Sequence, residues 1–236
     1  MINYDLLKSE IDRIGITIDE YGFDRFDSYA ERLVRWNLHV NLTAITEPDD
    51  IVIKHFADSL YPLRYIHMSK GQKLVDVGSG AGFPGLPLLI ANPGIEVNFV
   101  DSVGKKLAFV KDVLRNSGLV ANVTHKRAEE IGKTAEYREQ YDYATARAVA
   151  PLNVLCEYCL PLVKVGGLFV SLKGSTGKEE LAQAEKAIKV LGGEVVKFDE
   201  YALSNGDKRS LVIIRKISQT PTKYPRKSKK IDTRPL

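Results

Sequence analysis

The 236-residue sequence predicts an α/β fold: a mostly parallel sheet of seven strands with an antiparallel C-terminal strand, preceded by helices. Three observations predict it. Apolar residues recur at helical spacing before residue 70, strands alternate with helices from residue 73, and a turn alone separates the last two strands. We therefore expect an N-terminal helical region at 1–70, a main domain at 71–217 and a C-terminal tail at 218–236.

The N-terminal region is predicted to contain three helices. Leu7 and Ile11 fall on one face of the first helix. Asp24 or Asp27 is a suitable N-cap for the second, because a short acidic side chain accepts a hydrogen bond from the first turn. The third begins at Pro48, since proline is well tolerated in the first turn of a helix.

The strand segments of the main domain are 73–77, 96–101, 122–126, 142–146, 167–173, 194–201 and 210–216. Helical segments follow the first, second, fourth and fifth strands, so these strands should form a parallel sheet with helices on both faces. The final two strands are joined by the turn sequence Asn205-Gly206-Asp207 and should therefore pair antiparallel.

Positive charge is concentrated at the C-terminal end of the chain. The net charge is +4, but residues 222–236 alone carry +5, which leaves −1 for the rest. Such a basic segment is typical of a contact with nucleic-acid phosphates, and a merely solvated terminus is the alternative. The candidate RNA-binding residues are Lys223, Arg226, Lys227, Lys229 and Lys230.

Composition also argues against a membrane protein, a secreted protein and a metal site. No apolar run approaches the ~20 residues that span a bilayer, and the first residues lack a secretory pattern, so we expect a cytoplasmic protein without a membrane partner. Cys156 and Cys159 are the only cysteines. No further ligands lie near them, so we expect no metal and two buried thiols on one helix face. We expect a monomer.

A glycine-rich segment follows the first strand and opens the next helix: Asp76-Val77-Gly78-Ser79-Gly80-Ala81-Gly82-Phe83-Pro84-Gly85. Glycines let a ligand approach the backbone closely. Asp101 ends the next strand, where an acid can accept hydrogen bonds from ribose hydroxyls. The pattern predicts an adenosine-containing cofactor bound by Gly78, Gly80 and Asp101.

Two residues distinguish between adenosine cofactors. Phe83 stands where the dinucleotide fingerprint has its third glycine, which argues against NAD. Asp76 suits a ligand with an ammonium group, such as the methionine part of S-adenosylmethionine. Ala128 and Glu129 follow the third strand at the same sheet edge and are expected to flank the adenine, although a helix-capping role for Glu129 is the alternative.

Methyl transfer from a sulfonium is an in-line displacement that depends on positioning. The fourth strand lacks the Asn/Asp-Pro-Pro-aromatic loop of amino-group methylation, and no cysteine ends a strand, so the remaining acceptors include guanine N7. That atom has an exposed lone pair and needs no general base. Arg147 is predicted to contact phosphate or a base edge, with an ion pair to a surface acid as the alternative. Lys173 should contact phosphate or sugar.

The sequence resembles the bacterial ribosomal RNA small subunit methyltransferase G family, also called glucose-inhibited division protein B. The resemblance covers nearly the whole chain. It rests on Trp36-Asn37, Asn41-Leu42-Thr43-Ala44-Ile45, Lys54-His55-Phe56-Ala57-Asp58-Ser59, Asp76 to Leu88, Asp101-Ser102, Arg147-Ala148, Leu172-Lys173-Gly174 and Thr220-Pro221-Thr222-Lys223-Tyr224-Pro225-Arg226.

This resemblance implies a class I, Rossmann-like methyltransferase fold. It implies methylation of guanine N7 at position 527 in the 530 loop of 16S rRNA, as free RNA or in the small ribosomal subunit, with S-adenosylmethionine as cofactor. It places five residues at cofactor-contacting positions: Gly78, Phe83, Ala128, Glu129 and Arg147. We further expect Asn41 and His55 to shape the pocket for the unstacked base.

Two other functions stay open at this point. An NAD-linked oxidoreductase would need the fingerprint that Phe83 interrupts. A non-catalytic RNA-binding factor of ribosome assembly would depend on the basic tail and not on the glycine-rich loop. Substitution of Asp101 distinguishes the second alternative from a methyltransferase, because only the enzyme requires its cofactor pocket.

Overall fold

Seven strands form one sheet in the computed structural model, which describes residues 1–236. The strands are β1 (Lys73–Val77), β2 (Glu96–Asp101), β3 (Asn122–His125), β4 (Tyr141–Arg147), β5 (Val163–Lys173), β6 (Gly193–Ala202) and β7 (Lys208–Lys216). Their order in the sheet is β3-β2-β1-β4-β5-β7-β6. All neighbouring pairs are parallel except those of β7, which runs antiparallel to both β5 and β6. The predicted fold class is confirmed.

The helices are α1 (Tyr4–Ile14), α2 (Glu20–Asn37), α3 (Pro48–Asp50), α4 (Asp58–Leu60), α5 (Gly85–Ala91), α6 (Gly104–Ser117), α7 (Ala128–Ile131), α8 (Leu152–Cys159), α9 (Gly177–Val190) and α10 (Ser228–Thr233). A wider π-helical stretch, Ile51–Ala57, joins α3 to α4. Helices cover both faces of the sheet, which explains why most residues of β1, β2 and β4 are buried on both sides. None of the helices has the length and apolar character needed to cross a membrane.

The start of α2 differs from the prediction. Its N-cap is Asp19, whose side chain accepts a hydrogen bond from Gly22 N at 2.7 Å, rather than Asp24 or Asp27. Both of those acids lie inside the helix and bind the first residues of the chain instead. Asp27 accepts from Ile2 N at 2.7 Å, and Asp24 accepts from the hydroxyl of an α1 tyrosine.

The N-terminal helices share one hydrophobic core with the sheet domain. A continuous cluster of 36 buried residues contains side chains from both parts of the chain. Aromatic rings join them: Phe26 and Tyr29 of α2 pack on Phe56, at centroid distances of 4.7 and 5.3 Å, and Tyr29 also stacks on Phe83 of the glycine-rich loop at 5.2 Å. The helical region therefore fixes the position of that loop.

The C-terminal tail is folded, although the sequence suggested a free basic arm. Tyr224 and Ile231 are buried, and α10 packs on α8. Arg226 forms a paired hydrogen bond with the fully buried carboxylate of Glu157, with a shortest distance of 2.7 Å. The charge of Arg226 is thus engaged inside the protein, which corrects its assignment as a phosphate contact. The other four predicted tail lysines are exposed.

The two cysteines behave as predicted. Cys156 and Cys159 lie on α8, are free thiols and are fully buried. Burial raises the pKa of both thiols, so neither carries the thiolate needed for nucleophilic or redox chemistry. Their role in the fold is that of small apolar side chains against the sheet.

Candidate active site

The glycine-rich loop is held to the end of β2 by one carboxylate. Asp101 accepts hydrogen bonds from Gly80 N and Val103 N, each at 2.8 Å. Gly78 and Gly80 have φ values of 66° and 54°, a backbone conformation that favours glycine. Because a carboxylate can accept about four hydrogen bonds, Asp101 keeps acceptor capacity for a ligand while it fixes the loop.

A cleft of about 390 Å³ opens beside this loop at the carboxyl ends of the parallel strands. Ligands of open α/β sheets bind at this edge. The cleft is lined by Val77, Gly78, Val100, Asp101, Ser102, Val103, Lys106, Lys126, Arg127, Ala128, Glu129, Ala148, Val149, Ala150, Tyr158 and Asp232. Four of the predicted cofactor residues are therefore together: Gly78, Asp101, Ala128 and Glu129.

Glu129 is a buried carboxylate that faces this cleft without a hydrogen-bond donor from the protein; only 7% of the residue is exposed. The alternative role, capping α7, belongs to a different residue. Glu130 accepts from the backbone N–H of the N-cap Arg127, at 3.4 Å. The oxygens of Glu129 reach the cleft and have no protein donor, so they are free to accept a hydrogen bond from a ligand.

Asp76 does not line the cleft, which differs from the expected contact with an ammonium group. Its carboxylate is fully buried beneath the loop and accepts from Gly85 N at 3.0 Å and Thr145 Oγ1 at 3.2 Å. Burial raises the pKa of Asp76 to about 7, against the lowering effect of these two hydrogen bonds. Asp76 therefore shapes the loop from inside.

Gly80 and Phe83 also lie outside the cleft lining. Gly80 contributes its N–H to Asp101. The ring of Phe83 is buried and turns towards a second pocket, where it stacks on His55 at a centroid distance of 4.3 Å. The glycine-rich loop thus separates two pockets.

The second pocket, of about 360 Å³, is bordered by Ile45, Lys54, His55, Asp58, Arg147, Ala148, Leu172, Lys173, Gly174, Glu180 and Arg209. Ala148 lines both pockets. It has a φ of 55°, rare for a residue with a side chain, and so marks a constrained turn between them. Three of the four predicted substrate-positioning residues meet here: His55, Arg147 and Lys173.

Arg147 is held by several partners at once. One guanidinium nitrogen donates to Lys54 O at 3.1 Å and to Asp58 Oδ2 at 3.0 Å. The other donates to His55 Nδ1 at 3.0 Å, and the guanidinium carbon lies 4.7 Å from the centre of the Phe83 ring. The expected alternative of a surface ion pair is wrong, since both charged side chains are largely buried.

His55 is a neutral imidazole with both nitrogens in use. A guanidinium only donates, so Nδ1 accepts from Arg147, and Nε2 donates to Thr43 Oγ1 at 2.8 Å. Burial, followed by the nearby positive charge of Arg147, lowers the pKa of His55 to about 3. His55 therefore positions Arg147 and does not act as an acid or base near neutral pH.

Neither Lys173 nor Asn41 has the role that the sequence predicted. Lys173 lines the second pocket, but its ammonium is bound to Ala150 O and to Glu180, each at 2.7 Å, so it anchors the loop after β4. Asn41 is exposed and outside the pocket. The neighbouring loop is organised by Asn37, which makes three backbone hydrogen bonds of 2.8 to 3.0 Å.

Sequence reasoning missed four charged residues that line this pocket: Lys54, Asp58, Glu180 and Arg209. Asp58 accepts from Arg147 and, through Oδ1, from the Tyr201 hydroxyl at 2.7 Å. Arg209 is the second residue of β7, and the antiparallel register pairs the next residue, Ser210, with the last residue of β5. The predicted antiparallel pair therefore contained the signal for Arg209, because it brings the start of β7 to the same sheet edge.

No group of three or more His, Cys, Asp or Glu side chains is placed to hold a metal ion. The strand order, the glycine-rich loop after β1 and the acid at the end of β2 define a Rossmann-like methyltransferase. The chain belongs to the family described as rRNA small subunit methyltransferase G, whose model matches residues 23–212.

Relatives and solved structures agree with this membership. Proteins named ribosomal RNA small subunit methyltransferase G from Alkaliphilus oremlandii and Lactobacillus delbrueckii subsp. bulgaricus are 48% and 44% identical, over 98% and 100% of both chains. The fold is shared with a SAM-dependent O-methyltransferase from Thermotoga maritima, with a TM-score of 0.53, 15% identity and coverage of 80% of this chain and 72% of that one.

A second structure with this fold is a 16S rRNA (adenine(1408)-N(1))-methyltransferase from Catenulisporales acidiphilia. Its TM-score is 0.54 at 14% identity, with coverage of 64% of this chain and 87% of that one. Family membership makes the chain a methyltransferase. It decides against both alternatives that the sequence left open, the NAD-linked oxidoreductase and the non-catalytic assembly factor.

Proposed function

We propose that the protein transfers a methyl group from S-adenosylmethionine to N7 of a guanine in the 530 loop of 16S rRNA. The observation that carries the proposal is the pair of pockets that meet at Ala148, one suited to an adenosine cofactor and one without a free base. The relatives named ribosomal RNA small subunit methyltransferase G support the choice of substrate.

The cofactor cleft fits an adenosine sulfonium by its chemistry. Asp101 offers oxygens for the ribose hydroxyls, and Glu129 is a buried acceptor without a protein donor. Gly78 leaves the cleft floor without a Cβ, and Val149 lies against it. When bound, the cofactor supplies an electrophilic methyl group, which must point past Ala148 towards the second pocket.

Guanine N7 fits the second pocket because its lone pair needs no deprotonation. The side chains able to accept a proton are already engaged: His55 uses both nitrogens, and Asp58 binds Arg147 and Tyr201. The protein therefore contributes positioning, which alone supplies a large part of the rate in such displacements. Arg147 is the residue we assign to the wall between base and cofactor.

Cations at the second pocket and on the tail are suited to RNA phosphates. Lys54 and Arg209 border the second pocket, and Lys223, Lys227, Lys229 and Lys230 are exposed on the tail. Phosphate contacts of this kind make affinity depend steeply on salt. We place the enzyme in the cytoplasm, acting as a monomer on the small ribosomal subunit or its RNA.

The test is transfer of a tritiated methyl group from S-adenosylmethionine to small subunits, and to protein-free 16S rRNA, from cells that lack the enzyme. We expect label on one guanine of the 530 loop. Chemical treatment that cleaves RNA specifically at N7-methylguanine should then cut the chain at that nucleotide. Asp101→Ala should abolish labelling, whereas the exposed Asn41→Ala should retain it. Label at any other atom or loop would overturn the proposal.

A further inference from the structure

The C-terminal helix α10 forms part of the cofactor cleft. Asp232 of α10 and Tyr158 of α8 line the same space as Asp101 and Glu129. Neither was among the residues expected to bind a cofactor, since the tail was assigned to RNA. The tail is therefore connected to the cofactor side of the enzyme as well.

This wall is anchored by buried contacts rather than resting loosely on the surface. Glu157, fully buried on α8, accepts from both the backbone N–H and the guanidinium of Arg226, each with a shortest distance of 2.7 Å. Ile231, the neighbour of Asp232, is also fully buried. Removal of one partner from a buried charge pair is strongly unfavourable, so α10 is held in place.

Asp232 keeps an acceptor free for a ligand. The Tyr158 hydroxyl donates to Asp232 Oδ1 at 3.0 Å, and no protein group donates to Oδ2. The same tyrosine lies close enough to Glu129 and Arg127 for their charges to act on its pKa. This contact places Asp232 beside the loop after β3, on the side of the cleft expected for the adenine.

The direction of the cofactor follows from the two pockets. The methyl group must face the second pocket at Ala148, and the ribose lies at Asp101, so the adenine occupies the remaining end of the cleft. The only hydrogen-bond donor on the polar edge of adenine is its exocyclic amino group, which therefore requires an acceptor such as a carboxylate oxygen.

We propose that α10 closes the adenine end of the cleft and that Asp232, oriented by Tyr158, accepts a hydrogen bond from the adenine amino group. Asp232 is thus a residue that determines specificity for adenosine over other nucleosides. The inference rests on the proposed cofactor, and the tail then serves cofactor binding through Asp232 while its exposed lysines remain available to RNA.

Calorimetry with S-adenosylhomocysteine and S-inosylhomocysteine tests this assignment directly, in the absence of RNA. Inosine replaces the amino donor with a carbonyl acceptor, so the wild-type protein should prefer adenosine. A site that pairs with a polar group discriminates strongly against an analogue lacking it. Asp232→Asn can donate to the inosine carbonyl, and we expect it to lower the preference for adenosine at least tenfold.

Three further variants sharpen the result. Tyr158→Phe should lower the preference less, because it only frees the orientation of Asp232. Asp12→Asn, a matched change on an exposed residue of α1, should leave it unchanged. Glu129→Gln tests the neighbouring carboxylate. If this variant lost the preference for adenosine while Asp232→Asn kept it, the inference would be overturned.

The outcomes also distinguish this inference from the proposed function. A wild-type protein that bound neither homocysteine nucleoside would overturn the cofactor assignment, and the inference with it. Normal binding of S-adenosylhomocysteine combined with an unaltered preference in Asp232→Asn would overturn the inference alone. Because Asp232 is exposed, its variant is expected to unfold at the same temperature as the wild-type protein, which a melting curve checks.

Discussion

The cofactor cleft takes most of its lining from short stretches at the ends of neighbouring parallel strands, whereas the second pocket joins distant parts of the chain. At the cleft, Asp101 binds Gly80 of the adjoining glycine-rich loop across 21 residues. In the second pocket, Arg147 contacts His55 across 92 residues, and Tyr201 contacts Asp58 across 143. A fold motif therefore builds the first pocket, and tertiary packing builds the second.

The two pockets also use their carboxylates differently. Asp101 binds two backbone N–H groups and has no charged partner within hydrogen-bond distance. Asp58 is paired with the guanidinium of Arg147 in surroundings where little of either side chain is exposed. The carboxylate of Asp101 therefore stays available to a ligand. The carboxylate of Asp58, by contrast, is used to neutralise a charge of the protein itself.

The largest effect is expected from Asp58→Ala. This change leaves Arg147 partly buried without its charged partner, which costs about 3–5 kcal/mol of unfolding free energy. Asp101→Ala should cost less, about 1–3 kcal/mol, because it exposes backbone donors and no unpaired charge. Urea unfolding of both variants measures the difference.

The pair between Lys54 and Asp50, whose side chains are 24% and 39% exposed, is more accessible to solvent and provides the control for this comparison. Asp50→Ala should change the unfolding free energy by less than about 1 kcal/mol, since exposed ion pairs contribute little. If Asp101→Ala proved as destabilising as Asp58→Ala, the contrast between the two pockets would be wrong.

A second prediction concerns pH, because burial shifts the pKa of Asp76 beneath the glycine-rich loop and of His55 in the second pocket in opposite directions. Burial raises the pKa of Asp76 from 3.8 to about 7, so between these values the folded state holds a proton that the unfolded state has lost. Its contribution to stability falls as pH rises through this window. Burial lowers the pKa of His55 from 6.5 to about 3, so its contribution rises with pH between those values.

The two effects oppose each other between about pH 4 and 6.5, each with a slope of about 1.4 kcal/mol per pH unit. Asp76→Asn should therefore make stability rise more steeply with pH than in the wild-type protein, and His55→Gln should make it rise less or fall. Urea unfolding at pH 4.5, 5.5 and 6.5 measures both. Parallel curves for all three proteins would contradict the assigned pKa shifts.

The smallest effect distinguishes two asparagines near the second pocket. Asn37→Ala removes three hydrogen bonds to the loop at residues 42–43 and should cost about 1–3 kcal/mol. Asn41→Ala should change stability by less than about 0.5 kcal/mol, because its side chain is exposed. Methyl transfer should follow the same order, and an Asn41 variant as impaired as the Asn37 variant would show that this loop is misassigned.

The fold and the cleft were largely predictable from the sequence, because their signals are local. Alternating strands and helices fix a parallel sheet, and the segment from Asp76 to Gly85 with Asp101 fixes the place of the cofactor loop. The same local reasoning placed Asp76 at the ligand, because residue type alone does not reveal that its side chain points beneath the loop.

The second pocket and the tail depend on partners that the sequence does not bring together. His55 and Arg147 were named, but their contact with Asp58 requires the helical region to pack on the end of β4. The charges of the tail predicted an exposed arm, yet Arg226 meets a buried acid 69 residues away. Charge counts carry no information about such pairings.

Phe83 belongs to the cofactor loop, yet its buried ring packs against His55 and Arg147, two residues that line the second pocket. A cofactor that shifted this ring on binding would therefore change the affinity of the enzyme for its base. Thermodynamic linkage makes this reciprocal, so the base alters cofactor affinity by the same factor. The Phe83 ring thus provides a physical contact between the cofactor loop and two residues of the second pocket.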